Sequence, residues 1–182
     1  MFFRSMKVWI AATVLVVLVL AGTAIGVHVT SSTSFCLSCH EMRVHQQELA
    51  LSPHAQDARG NAIECVQCHI PSTNIVRMLS AKTWLGTKDL WVHATTGGSV
   101  TLNRREIQPE ARRFMDDANC RACHEDLYRN AKNDGAISEY GRLAHDNYLD
   151  KNGSSRSGCA GCHRNIAHLP PEDRHYDANA AF

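Results

Sequence analysis

Eight cysteines stand in four pairs, at 36/39, 65/68, 120/123 and 159/162, with none left over. Each pair is C-x-x-C and each is followed at once by a histidine, so that His40, His69, His124 and His163 close CLSCH, CVQCH, CRACH and CAGCH. With eleven histidines in 182 residues, four such coincidences have a chance of roughly one in 100,000 on composition alone. A disulfide framework does not ask for a histidine after every pair, and a zinc ribbon uses Cys pairs without that regular His. C-x-x-C-H is instead the attachment signature of c-type haem. Two thiols on one helical turn can form thioethers to both vinyl groups of a porphyrin, and the imidazole of the next residue can reach the iron. Cys36, Cys39, Cys65, Cys68, Cys120, Cys123, Cys159 and Cys162 are therefore expected to hold four covalent haem c groups, with the four following histidines as proximal ligands.

A six-coordinate iron needs a second axial ligand, and His28, His45, His54, His93, His145, His168 and His175 lie outside the motifs. The two halves of the chain read alike, as His40/His54/His69 and His124/His145/His163. This suggests a duplicated di-haem unit in which His54 and His145 play related parts. His168, five residues after His163, is expected to reach another haem than its own. His28 ends an apolar run and His175 lies in a polar tail, which sets both aside. In the first motif Met42 follows His40 by two residues, and a thioether sulfur is also a haem-iron ligand. Chemistry alone leaves Met42 open between ligation and packing against the ring.

These groups need elements to position them. From Val8 to Val27 the chain has twenty residues without a charge, which as a helix span roughly 30 Å, the thickness of a bilayer's hydrocarbon core. Arg4 and Lys7 precede it, so the positive-inside rule puts the N-terminus in the cytoplasm and the remainder outside. A cleaved signal peptide has a shorter apolar region, of about 7 to 15 residues, and a small-residue cleavage site. Residues 1–29 are thus expected to form the anchor, 30–170 a haem-packed domain in two di-haem halves (about 30–98 and 99–170), and 171–182 a polar tail. The expected fold is mainly α, with one transmembrane helix and little regular sheet, built around its cofactors because few other groups supply a core.

Residues 74–96 read as the longest helix outside the anchor. At 100° per residue Lys82, Asp89 and His93 fall within about 40° of one another, and Trp84 and Trp91 on the opposite side. Gly86 weakens the helix, and Gly97-Gly98 breaks it. Tryptophans beside Arg77, Lys82 and Lys88 suit a helix in the membrane interface, and equally an amphipathic helix packed on haem. Pro109 is expected to open a helix running PEARRFMDDANC into the third motif, and 151–158 to be a flexible linker. Fourteen of the nineteen basic residues are arginine, which suits pairing with haem propionates. Beyond the first seven residues the charge is close to balanced, with no positive surplus for nucleic acid.

The run of F-CLSCHEM, SPHA, CVQCHIP, AKTWLGTKD, NCRACH and CAGCHRNIAH behind a single anchor resembles the NapC/NirT/NrfH family of membrane-anchored tetrahaem cytochromes c, over about residues 8–170. The resemblance implies oxidation of a membrane quinol, menaquinol before ubiquinol, and delivery of electrons to a periplasmic reductase: the pentahaem nitrite reductase or the periplasmic nitrate reductase. It implies Met42 rather than His40 at the first haem, distal ligands at His54 and His168, and a further histidine of the nitrate-reductase branch at His145. Lys82 and Asp89 match residues beside the quinol pocket. A quinol releases two electrons and two protons, so Asp89 is expected to accept a proton, Lys82 to tune it and orient the quinone oxygen, and His93 to relay protons outward. The competing classes are a tethered electron-transfer cytochrome without a quinol site and a self-contained reductase with an open haem position.

Overall fold

The computed structural model describes residues 2–97, 104–130, 135–150, 158–164 and 166–168. Among them the fold is helical: α1 (Phe2–Val29), α2 (Thr33–Cys36), a 3-10 turn (His40–Met42), α3 (Arg43–Ala50), α4 (Cys65–His69), α5 (Ile75–Thr96), α6 (Arg104–Phe114), α7 (Asp117–Arg121), α8 (Glu139–Asp150) and α9 (Gly158–Cys162). Sheet is limited to two isolated bridges, Gln56 to Ala62 and Arg129 to Ala136.

Between Met6 and Val29, α1 is apolar and exposed along most of its length, and it is joined to the rest of the chain at its last turns, where Lys82 Nζ donates to Val27 O. That is the condition of a helix whose solvent is lipid, since every backbone donor and acceptor is satisfied within it. Its end carries its own caps, with Thr30 Oγ1 donating to Gly26 O at 2.7 Å and Ser31 Oγ to Val27 O at 2.6 Å.

The helices that carry the cysteines are short and tied in pairs. Ser32 caps α2 by accepting from Phe35 N at 3.2 Å, and Glu64 and Gln67 form a reciprocal capping box on α4, satisfying donors that a five-residue helix would leave orphaned. Thr33 joins the two: its N–H donates to Glu64 Oε2 at 2.8 Å, its hydroxyl donates to the same carboxylate, and its oxygen accepts from Cys65 N at 3.2 Å. The second half repeats the device. Asp116 caps α7, and Asp117 Oδ1 accepts from Cys159 N at 2.7 Å while its Oδ2 accepts from Tyr148 OH at 3.0 Å. Thr33 and Asp117 each stand three residues before the first cysteine of their motif. The halves meet through the buried Asn119, whose Nδ2 donates to Cys68 O at 3.2 Å and Ile70 O at 2.9 Å while its Oδ1 accepts from Ser72 N at 3.3 Å.

α5 is continuous through Gly86. Asn74 caps it by accepting from Val76 N and Arg77 N, and Gly97, at φ 60°, ends it in the left-handed conformation that favours glycine. The segment around Pro109 differs from expectation. Pro109 lies inside α6 rather than opening it, and the N–H it lacks is the one that would bond the carbonyl of Arg105 in the first turn. The chain then breaks at Asp116, which is extended (φ −88°, ψ 125°), because its carboxylate serves as a cap; two helices replace the single one expected. The linker 151–157, the segment 98–103, His175 and the tail from 169 lie outside the described residues, so the boundary of the halves at 98/99 does as well.

Among the described residues, side-chain packing alone forms little core: only Leu49 and Ala160 are buried apolar side chains, and no large side chain is fully buried.

Candidate functional site

Within each half the first cysteines of the two motifs lie within hydrogen-bonding reach of each other: Cys36 with Cys65, and Cys120 with Cys159. In each half, therefore, the attachment edges of two motifs face each other.

The histidines are arranged in pairs. The ring of His69 lies 6.0 Å from that of His168, His54 lies 6.1 Å from His124, and His145 lies 6.0 Å from His163. Two metal–imidazole bonds of about 2.0 Å on opposite sides of one iron put the ring centroids about 6 Å apart. Each outer histidine also presents its Nδ1 to a backbone carbonyl: His54 to Ile166 O at 3.1 Å, His145 to Leu127 O at 2.5 Å, and His168 to His45 O at 2.8 Å. A carbonyl only accepts, so Nδ1 is the protonated nitrogen in all three and Nε2 is left as the ligating one. Burial lowers the pKa of His54, His69 and His163, with a neighbouring histidine adding to the effect, which favours the neutral imidazole that binds metal. The donor set, its spacing and the near-absence of a side-chain core all fit four haem c groups.

The pairing departs from the symmetry suggested by the sequence. His145 meets the proximal histidine of its own half, whereas His54 crosses to His124 in the other, so the two do not play equivalent parts. The crossing follows from the chain path: the α4–α7 junction at Asn119 sets the second and third motifs side by side, and residues 166–168 fold back over residues 45–54. His168 takes φ 56°, a left-handed backbone that a histidine adopts only when its surroundings hold it there. His45 and the buried Glu48, 3.6 Å apart, lie behind His168. His45 stood among the candidate histidines of the sequence, but Glu48 did not, because an H-x-x-E pair on a short helix resembles any solvated face.

The first motif is different. His40 is largely exposed, its ring lies 5.9 Å from that of His93, and Glu41 joins them, with His93 Nδ1 at 2.7 Å from Oε1 and His40 Nδ1 at 3.3 Å from Oε2. Backbone and His93 hydrogen bonds hold the Glu41 carboxyl below the usual carboxylate range. Met42 closes the same 3-10 turn. From α5, Lys82 Nζ donates to Val27 O at 3.2 Å and Ser31 Oγ at 2.7 Å, which ties it to the last turns of the anchor. Burial lowers the Lys82 pKa. Asp89 lies one turn before His93 on the same face, and burial raises its carboxyl against the opposing pull of Lys88. The structure thus brings His93 to the first motif and Lys82 to the membrane end of α1, with Asp89 between them along the helix. Glu41 escaped the sequence reading because CHEM draws attention to its sulfur and imidazole.

The model of the NapC/NirT cytochrome c family, N-terminal region, matches residues 2–173. The tetraheme c-type cytochrome CymA of Shewanella oneidensis is 29% identical over 153 residues, 80% of this chain and 80% of CymA. The cytochrome c-type protein TorY of Escherichia coli O157:H7 is 32% identical over 163 residues, covering 85% of this chain but 42% of TorY, so the chain spans less than half of that relative. A chain of the solved cytochrome c nitrite reductase NrfHA complex bound to the HQNO inhibitor is 27% identical, with 88% of this chain and 89% of that one covered and a TM-score of 0.47.

Proposed function

The chain belongs to the NapC/NirT cytochrome c family, and from that membership we propose that it oxidises a membrane quinol, menaquinol in the first instance, at the outer face of the membrane and passes the electrons to a periplasmic reductase. It is a multihaem c-type cytochrome, anchored in the inner membrane by α1 with its remaining mass in the periplasm. Haem, when bound, supplies reversible one-electron chemistry; everything else falls to the side chains described above.

The observation that carries this reading is the pair of hydrogen bonds from Lys82 to Val27 and Ser31. They set the ionisable face of α5 at the end of the anchor, where a lipid-soluble quinol presents its head group, and beside the first motif. Lys82 has three N–H donors and spends two of them there, leaving one to orient the quinone oxygen. Asp89 takes the proton released from the quinol hydroxyl, a role its burial suits by bringing its pKa nearer the working pH. His93, held by Glu41 one turn further on, is the next acceptor on the way out. Pairs His69/His168, His54/His124 and His145/His163 would hold the irons of the second, third and fourth haems between them.

Asp89→Asn is expected to lower quinol-driven reduction at least tenfold and to leave dithionite reduction intact; equal quinol kinetics in the variant sink the role of Asp89. A second reading of His93, as axial partner of His40, is favoured by their 5.9 Å ring separation. Met42→Leu separates the two, because loss of a methionine–iron charge-transfer band in that variant assigns Met42 as ligand, and an unchanged spectrum assigns the imidazoles. The terminal reductase is tested by which purified reductase, of nitrite or of nitrate, oxidises the reduced chain.

A further inference from the structure

Outside the anchor, α5 carries the densest set of exposed large apolar side chains: Ile75, Val76, Trp84, Leu90 and Trp91 are each at least 63% exposed. A soluble surface does not normally present so many on one helix. The face that carries Trp84 and Trp91 is turned roughly 180° from Lys82 and His93. Those two residues face the last turns of α1 and the first motif, on the side away from the tryptophans. Trp84 and Trp91 are seven residues apart, roughly 10 Å along one line of the helix. The N-terminal turn is held separately, by Arg77 NH1 on Asp116 Oδ2 at 3.2 Å.

The geometry points to a lipid surface as the occupant of this face: α5 lies in the headgroup layer of the outer leaflet, with Trp84 and Trp91 inserted at the acyl boundary and Lys88 at the phosphates. The choice of lipid over protein rests on continuity. Lys82 reaches Val27 O, inside the span that crosses the bilayer (Met6–Val29), so the middle of α5 sits level with the end of the hydrocarbon core. Indole rings, with an apolar body and one N–H, settle at that depth, and a flanking lysine extends to the headgroups. The anchor then fixes the domain's position and α5 its tilt, since a single helix leaves the domain free to tilt against the membrane surface.

The test uses the haem-loaded, anchored chain in vesicles of phosphatidylethanolamine and phosphatidylglycerol doped with a phospholipid bearing a diazirine near its glycerol end. After illumination, trypsin cuts at Lys82, Lys88 and Arg104, and the 83–88 and 89–104 peptides are read by mass spectrometry. Lipid adducts are expected on both, beside those on the anchor peptide. In Trp84→Ser/Trp91→Ser they should fall at least tenfold while the Soret band and the anchor adducts stay unchanged. An unlabelled α5 beside a labelled anchor, the outcome if a protein partner covers this face, overturns the proposal. So does labelling that survives the double substitution.

Discussion

In the role proposed for Asp89, position rather than residue type selects the proton acceptor. Burial raises its carboxyl and Lys88 opposes that only partly, so the group is protonated at a higher pH than an ordinary aspartate. A protonated carboxyl cannot accept a proton; quinol-driven reduction should therefore fall as pH drops through the raised pKa, and stay flat above it. A stopped-flow pH series reads this acid limb, expected above the usual aspartate range and missing from whatever rate remains in Asp89→Asn. At the outer histidines the decisive feature is Nδ1. Because a backbone carbonyl holds it, each ring offers Nε2 in one orientation without a search. Replacing any one of His54, His145 or His168 by glycine should convert one iron in four from low to high spin, seen by electron paramagnetic resonance, and leave the other three. Simultaneous loss at several irons would show that the pairs are not separate.

The short helices α2, α4, α7 and α9 have four or five residues each, too few to persist alone, because nucleation costs more than one turn returns. Thr33, Glu64, Asp117 and Asn119 compensate by accepting or donating the bonds that a longer helix would make internally. Asn119→Ala leaves the carbonyls of Cys68 and Ile70 without their donor, and should cost about 1–3 kcal/mol, measured by thermal unfolding of the haem-loaded chain. Gly158 is the tightest point of the fourth motif. Its φ is 53°, and a Cβ there would meet Asp117 Oδ1 at 2.8 Å. Gly158→Ala should destabilise by at least the roughly 1–2 kcal/mol of left-handed backbone strain, with the loss smaller in an Asp117→Ala background, where the collision is relieved.

For the whole molecule the question is what replaces a core. Two apolar side chains, Leu49 and Ala160, are buried among the described residues, far below what offsets the backbone entropy of such a chain. Four covalent macrocycles supply that apolar volume. Chain produced without haem attachment is accordingly expected to show no cooperative thermal transition by circular dichroism and to be cleaved throughout 30–170 by protease, while α1 still inserts. A chain beginning at residue 30 and loaded with haem should remain reducible by dithionite and lose quinol-driven reduction, because the tie from Lys82 to Val27 is gone.

Much of this protein is written in short, regular signals. The thioether sites and proximal histidines can be read off because covalent attachment demands one spacing on one turn, and the anchor because lipid demands an unbroken apolar run. α5 was visible from its 3.6-residue period, and the alignment of Lys82, Asp89 and His93 needed only that period. By contrast, no spacing shows that His54 lies against a histidine of the opposite half and His145 against one of its own, since that depends on where Asn119 docks one motif against another and on how residues 166–168 return. Pro109 misled for a related reason: its tolerated place in α6 depends on where the preceding turn starts, and the stop at Asp116 depends on a side chain serving as a cap. Local chemistry is carried by neighbours in sequence; which imidazole meets which is carried by contacts up to 123 residues apart, and only the folded chain brings those together.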